Sequence, residues 1–254
     1  MGCTGLFITG TDTDVGKTAI TLGLMAALQR QHLTVLGMKP VASGCVRDQG
    51  GLRSADALSI IAQAGVILDE PAGPPADCSR NTEASAPISY GTINPYAFEP
   101  PMAPHIAAGR AGVDIEIEPI RAAYQSLAAR ADVVLVEGVG GWRVPLGPSL
   151  AVSDLPSALG LPVVLVIGMK LGCLSHSLLT AESIRAGGNR LVGWISTRLD
   201  PDMLAPDENL ATLAALLHAP CLGVVPWLDD PSPEAIAAHL ILDALFASPA
   251  QTKA

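Results

Sequence analysis

Few folds can accommodate the nine consecutive residues Gly10-Thr11-Asp12-Thr13-Asp14-Val15-Gly16-Lys17-Thr18. They follow a short β-branched run, Leu6–Thr9, and open a stretch with helical spacing that carries Ile20, Leu24, Ala27 and Leu28. A glycine-flanked loop between strand and helix aims successive backbone N–H groups at one anion, and the helix N-terminus adds partial positive charge. Lys17 then reaches the outer phosphates, and the Thr18 hydroxyl is placed to ligate Mg²⁺. The spacing, G-x₅-G-K-T, is one residue longer than the usual form of this motif. The alternative is a glycine-rich turn that binds nothing, but the strand–loop–helix context favours a nucleoside triphosphate site.

The rest of the chain repeats this alternation. Apolar runs recur at Thr34–Met38, Val133–Val136, Val163–Ile167, Leu191–Ser196 and Leu222–Val225, apolar at nearly every position, as in strands covered on both faces. Helical spacing separates them at Pro119–Ala131, Ser175–Ala186, Asp207–Leu217 and Pro233–Phe246, with Thr18–Gln31 after the first strand. Together they predict a single α/β domain over residues 1–254, a mostly parallel sheet with helices on both faces. Glu70–Pro87, rich in Pro, Ala and Ser, reads as a surface-loop insertion, mobile or packed on the domain.

Composition narrows the partners. A formal charge of −9, from 15 Lys+Arg against 24 Asp+Glu, excludes a broad basic surface for nucleic acid or anionic membrane. Three residues each of Phe, Tyr and Trp are too few for a base-stacking platform. The five cysteines form no C-x-x-C pair, which argues against a disulfide framework and a structural zinc, and suits a reducing compartment. The N-terminus has no signal-peptide pattern, and Leu161–Met169 has about half the roughly 20 residues that span a bilayer. A cytoplasmic location is expected.

Three further segments lie just after strand runs, on the edge where ligands bind in open α/β sheets. They are Lys39-Pro40-Val41-Ala42-Ser43-Gly44, Glu137-Gly138-Val139-Gly140-Gly141-Trp142 and Gly168-Met169-Lys170-Leu171-Gly172-Cys173. With GLRSADA, NPYAF, APHIAA, GWIS and LGVVPWL in order along the chain, the sequence resembles the dethiobiotin synthetase family over nearly its whole length. That family has a P-loop NTPase-type fold. The resemblance implies conversion of 7,8-diaminopelargonate, CO₂ (or bicarbonate) and ATP to dethiobiotin, ADP and phosphate, with Mg²⁺, by a homodimer.

Residue by residue, the resemblance makes Lys39 and Lys17 catalytic. Thr13, Asp14, Val15, Gly16, Lys17, Thr18, Ala19, Asp56, Gly138, Val139, Gly140, Gly141 and Thr197 contact nucleotide, and Pro226, Trp227 and Leu228 line its base pocket. Thr18, Asp56 and Glu137 hold the metal. Ser43 contacts substrate, and Met169, Leu171, Gly172, Cys173, Leu174 and Ser175 receive the substrate carboxylate in the neighbouring subunit's site. Without the resemblance, Lys39 is a surface lysine at a turn, Asp56 a first-turn helix charge and Glu137 a strand-end carboxylate. His105 reads as a helix-start or core histidine, and Cys173 as scaffolding for its loop.

Two positions depart from the family's pattern. Ser175 stands where Asn is expected, offering one donor instead of two. Thr197 stands where an Asn amide pairs with the adenine edge, so relaxed nucleotide choice is expected unless main-chain groups around Pro226–Leu228 read the base unaided. The rival from another class is a partition or septum-site regulatory ATPase. Its P-loop carries an additional early lysine, which Gly10-Thr11-Asp12 lacks. A cobyrinate-type amidoligase would need an appended glutaminase domain.

Overall fold

The computed structural model describes residues 4–68, 87–242 and 245. In chain order the first elements are β1 (Thr4–Gly10), α1 (Lys17–Gln29), β2 (Val35–Met38), β3 (Val41–Ser43), β4 (Val46–Asp48), β5 (Gly51–Arg53) and α2 (Ala55–Ala64). Next come α3 (Tyr90–Ile93), β6 (Tyr96–Phe98), α4 (Pro104–Ala111), α5 (Ile117–Ala128), β7 (Val133–Glu137) and α6 (Leu155–Leu159). The last are β8 (Val163–Met169), α7 (Cys173–Ala186), β9 (Leu191–Arg198), α8 (Pro206–Leu216), β10 (Cys221–Val225) and α9 (Pro233–Ala237).

Six strands form one parallel sheet in the order β10-β9-β8-β1-β7-β2. Every residue of β2, β7 and β8 is buried, which is why their sequences are apolar without alternation. Side chains along β8 still point to opposite faces. Val164 and Val166 pack in the main core with Ile20 and Leu24 of α1, while Leu165, Ile167 and Met169 pack with Leu213 of α8 and Ala181 of α7. Helices therefore cover both faces, as expected.

Most boundaries fall within three residues of the sequence reading. The exception is the expected helix Pro233–Phe246. It ends at Ala237, after which the chain turns so that Leu240 bridges to Gly223. Phe246 lies outside the described residues, as does the expected surface segment Glu70–Pro87 except for Pro87. Among the described residues no helix is long and apolar enough to cross a membrane.

Strand order sets the site. β7 lies between β1 and β2, with Ile8 in register with Glu137 and Met38 with Val136. The loop after β1, the lysine after β2 and the carboxylate ending β7 thus emerge side by side at the C-terminal edge. The short parallel pair β3–β6 and the antiparallel hairpin β4–β5 extend beyond that edge and lead the chain into α2.

Candidate active site

The loop between β1 and α1 is turned by two left-handed residues, Asp14 (φ 56°) and Gly16 (φ 86°). Backbone of this kind gathers N–H groups into an anion-binding hollow. Asp tolerates the left-handed region through its short polar side chain. Gly16 is the N-cap of α1, and its carbonyl accepts the first helical hydrogen bond from Ile20 at 2.9 Å. Val15 is wholly buried beneath the loop. The buried Thr197 hydroxyl at the end of β9 donates to the Val15 carbonyl at 2.7 Å. A second tie runs from the Thr11 N–H to the Val166 carbonyl at 3.1 Å. Lys170, after β8, lies 3.6 Å from the Asp12 carboxylate.

Four side chains meet beside this loop. The Glu137 Oε1 accepts from the Thr18 hydroxyl at 2.8 Å and from the Lys39 Nζ at 2.6 Å. Lys39 also donates to the Gly138 carbonyl at 3.2 Å and pairs with the Asp56 Oδ2 at 2.7 Å. Asp56 stands in the first turn of α2, whose N-cap Ser54 accepts from the Ala57 N–H at 3.5 Å. The Lys17 Nζ donates to the Asp12 carbonyl at 2.8 Å.

Burial and charge pull the two lysines apart. Burial, reinforced by the like charge of Lys39, lowers the Lys17 amine from 10.5 to about 8 against the attraction of Glu137 and Asp56. Burial would lower Lys39 too, but direct contact with Glu137 and Asp56 outweighs it and raises its pKa. Asp56 is held below the usual carboxylate range, because Lys39 outweighs the opposing effect of burial. Lys39 is 3% exposed and Glu137 fully buried, so their contact is shielded from solvent and removing one partner would leave the other buried without it.

These groups line a cavity of about 850 Å³. Of the residues expected at the site, it brings together Thr13, Asp14, Gly16, Lys17, Thr18, Ala19, Lys39, Ser43, Asp56, Glu137, Val139 and Gly140. Val15, Gly138, Gly141 and Thr197 lie outside its lining, Val15 and Thr197 bracing the loop from below. Pro226 and Trp227 are exposed beyond β10, outside the cavity wall. Met169 and Cys173 are buried, Leu171 and Ser175 face outward, and no residue from Met169 to Ser175 lines this chain's own cavity.

The sequence reading missed Pro101, Met102, Ala103 and Pro104, which form one wall, and Val144 and Leu199. The signal for the first group was the proline-rich approach to α4, where Pro104 takes the first helical turn.

The donors suit Mg²⁺. Thr18, Asp56 and Glu137 offer hard oxygen donors, and the Glu137 Oε2 is buried without a hydrogen-bond partner. Among the described residues no three His, Cys, Asp or Glu side chains form a metal cluster. Mg²⁺ commonly takes one or two carboxylates and completes its shell with substrate phosphates.

A parallel sheet with a glycine-turned loop, a lysine and a threonine at the end of its central strand defines a P-loop nucleoside triphosphate-binding protein. A family model described as an AAA domain matches residues 4–235. The chain is 46% identical to an ATP-dependent dethiobiotin synthetase of Cellvibrio japonicus, covering 94% of this chain and 96% of that protein. It is 47% identical to one of Pseudomonas paraeruginosa, covering 93% and 95%. The chain belongs to the ATP-dependent dethiobiotin synthetase family. The MinC:MinD cell division complex of Aquifex aeolicus superposes with a TM-score of 0.53 at 16% identity, covering 94% of this chain and 88% of that one. That likeness shows the fold alone.

Proposed function

We propose that this chain closes the ureido ring of dethiobiotin, converting 7,8-diaminopelargonate, CO₂ and ATP to dethiobiotin, ADP and phosphate. Beyond family membership, the supporting observation is the convergence of Lys17, Thr18, Lys39, Asp56 and Glu137 on one cavity beside the loop. The cavity suits both halves of the reaction. One substrate amine must be neutral to attack CO₂, and the two lysines disfavour its protonation by like charge. The carbamate forms with loss of one proton, and its oxygen attacks the γ-phosphorus, breaking the bond to ADP. Lys17 and Lys39 stabilise the charge that spreads over the phosphoryl oxygens. The second amine then attacks the carbamic–phosphoric anhydride, the C–N bond forms, and phosphate and a proton leave. No covalent enzyme intermediate is required, and among the described residues neither Cys nor His lines the cavity.

Thr18, Asp56 and Glu137 would hold Mg²⁺, which supplies charge neutralisation at the phosphates. Val15 and Thr197 shape the loop, the segment Gly138–Gly141 borders the nucleotide, and Pro226–Leu228 lie toward its base. Ser43 approaches the substrate. The segment Met169–Ser175, of which Leu171 and Ser175 face outward, completes the site of a second copy in a homodimer, and sedimentation of a fully active monomer would remove that part of the reading. The whole chain acts as one carboligase domain.

Mass-spectrometric detection of dethiobiotin from diaminopelargonate, bicarbonate and ATP tests the reaction. ATP hydrolysis indifferent to diaminopelargonate, with no product, would instead mark a regulatory ATPase.

A further inference from the structure

Lys39 and Asp56 meet at 2.7 Å although they belong to different elements, Lys39 following β2 and Asp56 opening α2. The backbone of Lys39 is held at both polar groups. Its N–H donates to the Ile93 carbonyl at 2.8 Å, and its carbonyl accepts from the Asn94 Nδ2 at 2.7 Å. Asn94 is 2% exposed, and the same nitrogen donates to the Tyr96 carbonyl at 3.2 Å. The Asn94 Oδ1 accepts from the Tyr90 hydroxyl at 3.0 Å. That hydroxyl in turn accepts from the backbone N–H of Ser54 at 2.7 Å, at the N-cap of α2 and two residues before Asp56. The Arg53 guanidinium covers the Tyr90 ring, 4.2 Å from its centroid.

A continuous hydrogen-bonded chain thus runs from the Lys39 carbonyl through Asn94 and Tyr90 to the start of α2. Its direction is unique, because turning the amide over would set Oδ1 against two carbonyls and leave it unpaired there. Neither Tyr90 nor Asn94 lines the cavity, so neither is placed to touch substrate or nucleotide.

We propose that Tyr90 and Asn94 are positioning residues, holding the N-terminus of α2 to Lys39 so that the Lys39–Asp56 contact is set before substrates bind. The proposal rests on the carboligase reading of the site. A displacement of about 1 Å in a reacting constellation can cost on the order of a hundredfold in rate.

Tyr90→Phe keeps the ring and its Arg53 contact but breaks the chain at two bonds, and Asn94→Ser withdraws the amide from Lys39. Dethiobiotin formation is measured per ATP-binding site, with sites counted by calorimetry so that unfolded protein does not enter the rate. The expected result for Tyr90→Phe is a fall in kcat of about ten- to a hundredfold, with the Kd for ATP within about twofold of wild type. Asn94→Ser should fall at least as far, and the double variant no further than about threefold below it, since both changes cut one chain. Tyr90→Phe carries the test alone if Asn94→Ser does not fold. Wild-type turnover per site in Tyr90→Phe, or a loss that lies entirely in ATP affinity, would overturn the proposal. Absence of dethiobiotin from the wild-type protein would overturn the carboligase reading and the proposal together.

Discussion

Nucleotide binding should take up a proton at alkaline pH, and Lys17 is the group that takes it. Its amine is lowered to about 8 because burial strips its solvation and Lys39 adds a like charge. Phosphates bound against Lys17 supply the missing opposite charge and restore the pKa to its ordinary value or above. Without nucleotide, an amine of that pKa is about 90% protonated at pH 7 and about 10% protonated at pH 9. Binding should therefore take up roughly 0.1 proton at pH 7 and roughly 0.9 at pH 9. Isothermal titration of ADP in buffers of differing ionisation enthalpy counts these protons. Lys39, raised rather than lowered, stays charged with or without nucleotide across this range. An uptake near zero at pH 9 would refute the account of Lys17. The same shift has a consequence for folding. Between pH 8 and 10.5 the unfolded chain binds more protons at this position than the folded one, so stability without nucleotide rises with pH there, by up to about 3 kcal/mol. The raised pKa of Lys39 acts oppositely, its stabilisation present below 10.5 and lost as pH rises through its folded value.

Lys39→Ala should lower turnover on the order of 10²–10³-fold while weakening ATP binding much less, since the charge acts on the transition state. It also strands the buried Glu137, so turnover is measured below the variant's lower melting temperature, and near wild-type turnover would sink the assignment. Glu137→Gln should raise the Mg²⁺ concentration needed for half-maximal rate, because a neutral amide is a weaker ligand for a hard cation; an unchanged Mg²⁺ titration would remove Glu137 from the metal site. The Thr197 hydroxyl is already spent on the Val15 carbonyl, so it has no donor left for a base edge. CTP or GTP should be used within roughly tenfold of ATP in kcat/KM, about 1.4 kcal/mol, and a preference above about a hundredfold would refute this.

The parts of the site that were legible beforehand are those whose information is local. The loop Gly10–Thr18 announces itself because anion binding needs glycine, lysine and threonine at fixed offsets between a strand and a helix. Lys39 and Glu137 were legible because each follows a run buried on both faces, which makes a polar residue at its end conspicuous. What the chain does not carry locally is which strand lies beside which. The order β10-β9-β8-β1-β7-β2 inserts β7 between two strands that precede it by about a hundred residues, and that insertion alone brings Glu137 within 2.6 Å of Lys39. Three-residue strands such as β3 and β6 are too short to show a period, so the wall Pro101–Pro104 and the link from Tyr90 to Ser54 stayed hidden. Helical spacing also persists beyond Ala237, where the chain turns back to bridge Gly223, because periodicity records which residues prefer burial and not where the backbone can continue. Asp56 reads as a site residue with a helix-start charge as its alternative, and only the fold sets Lys39 against it; that the Thr197 hydroxyl bonds to the phosphate loop is likewise visible only in the fold. Sequence determines which groups are available and which elements display them. Only tertiary packing decides which of those groups meet, since contacts between residues far apart in the chain depend on strand order and helix placement that no local pattern encodes.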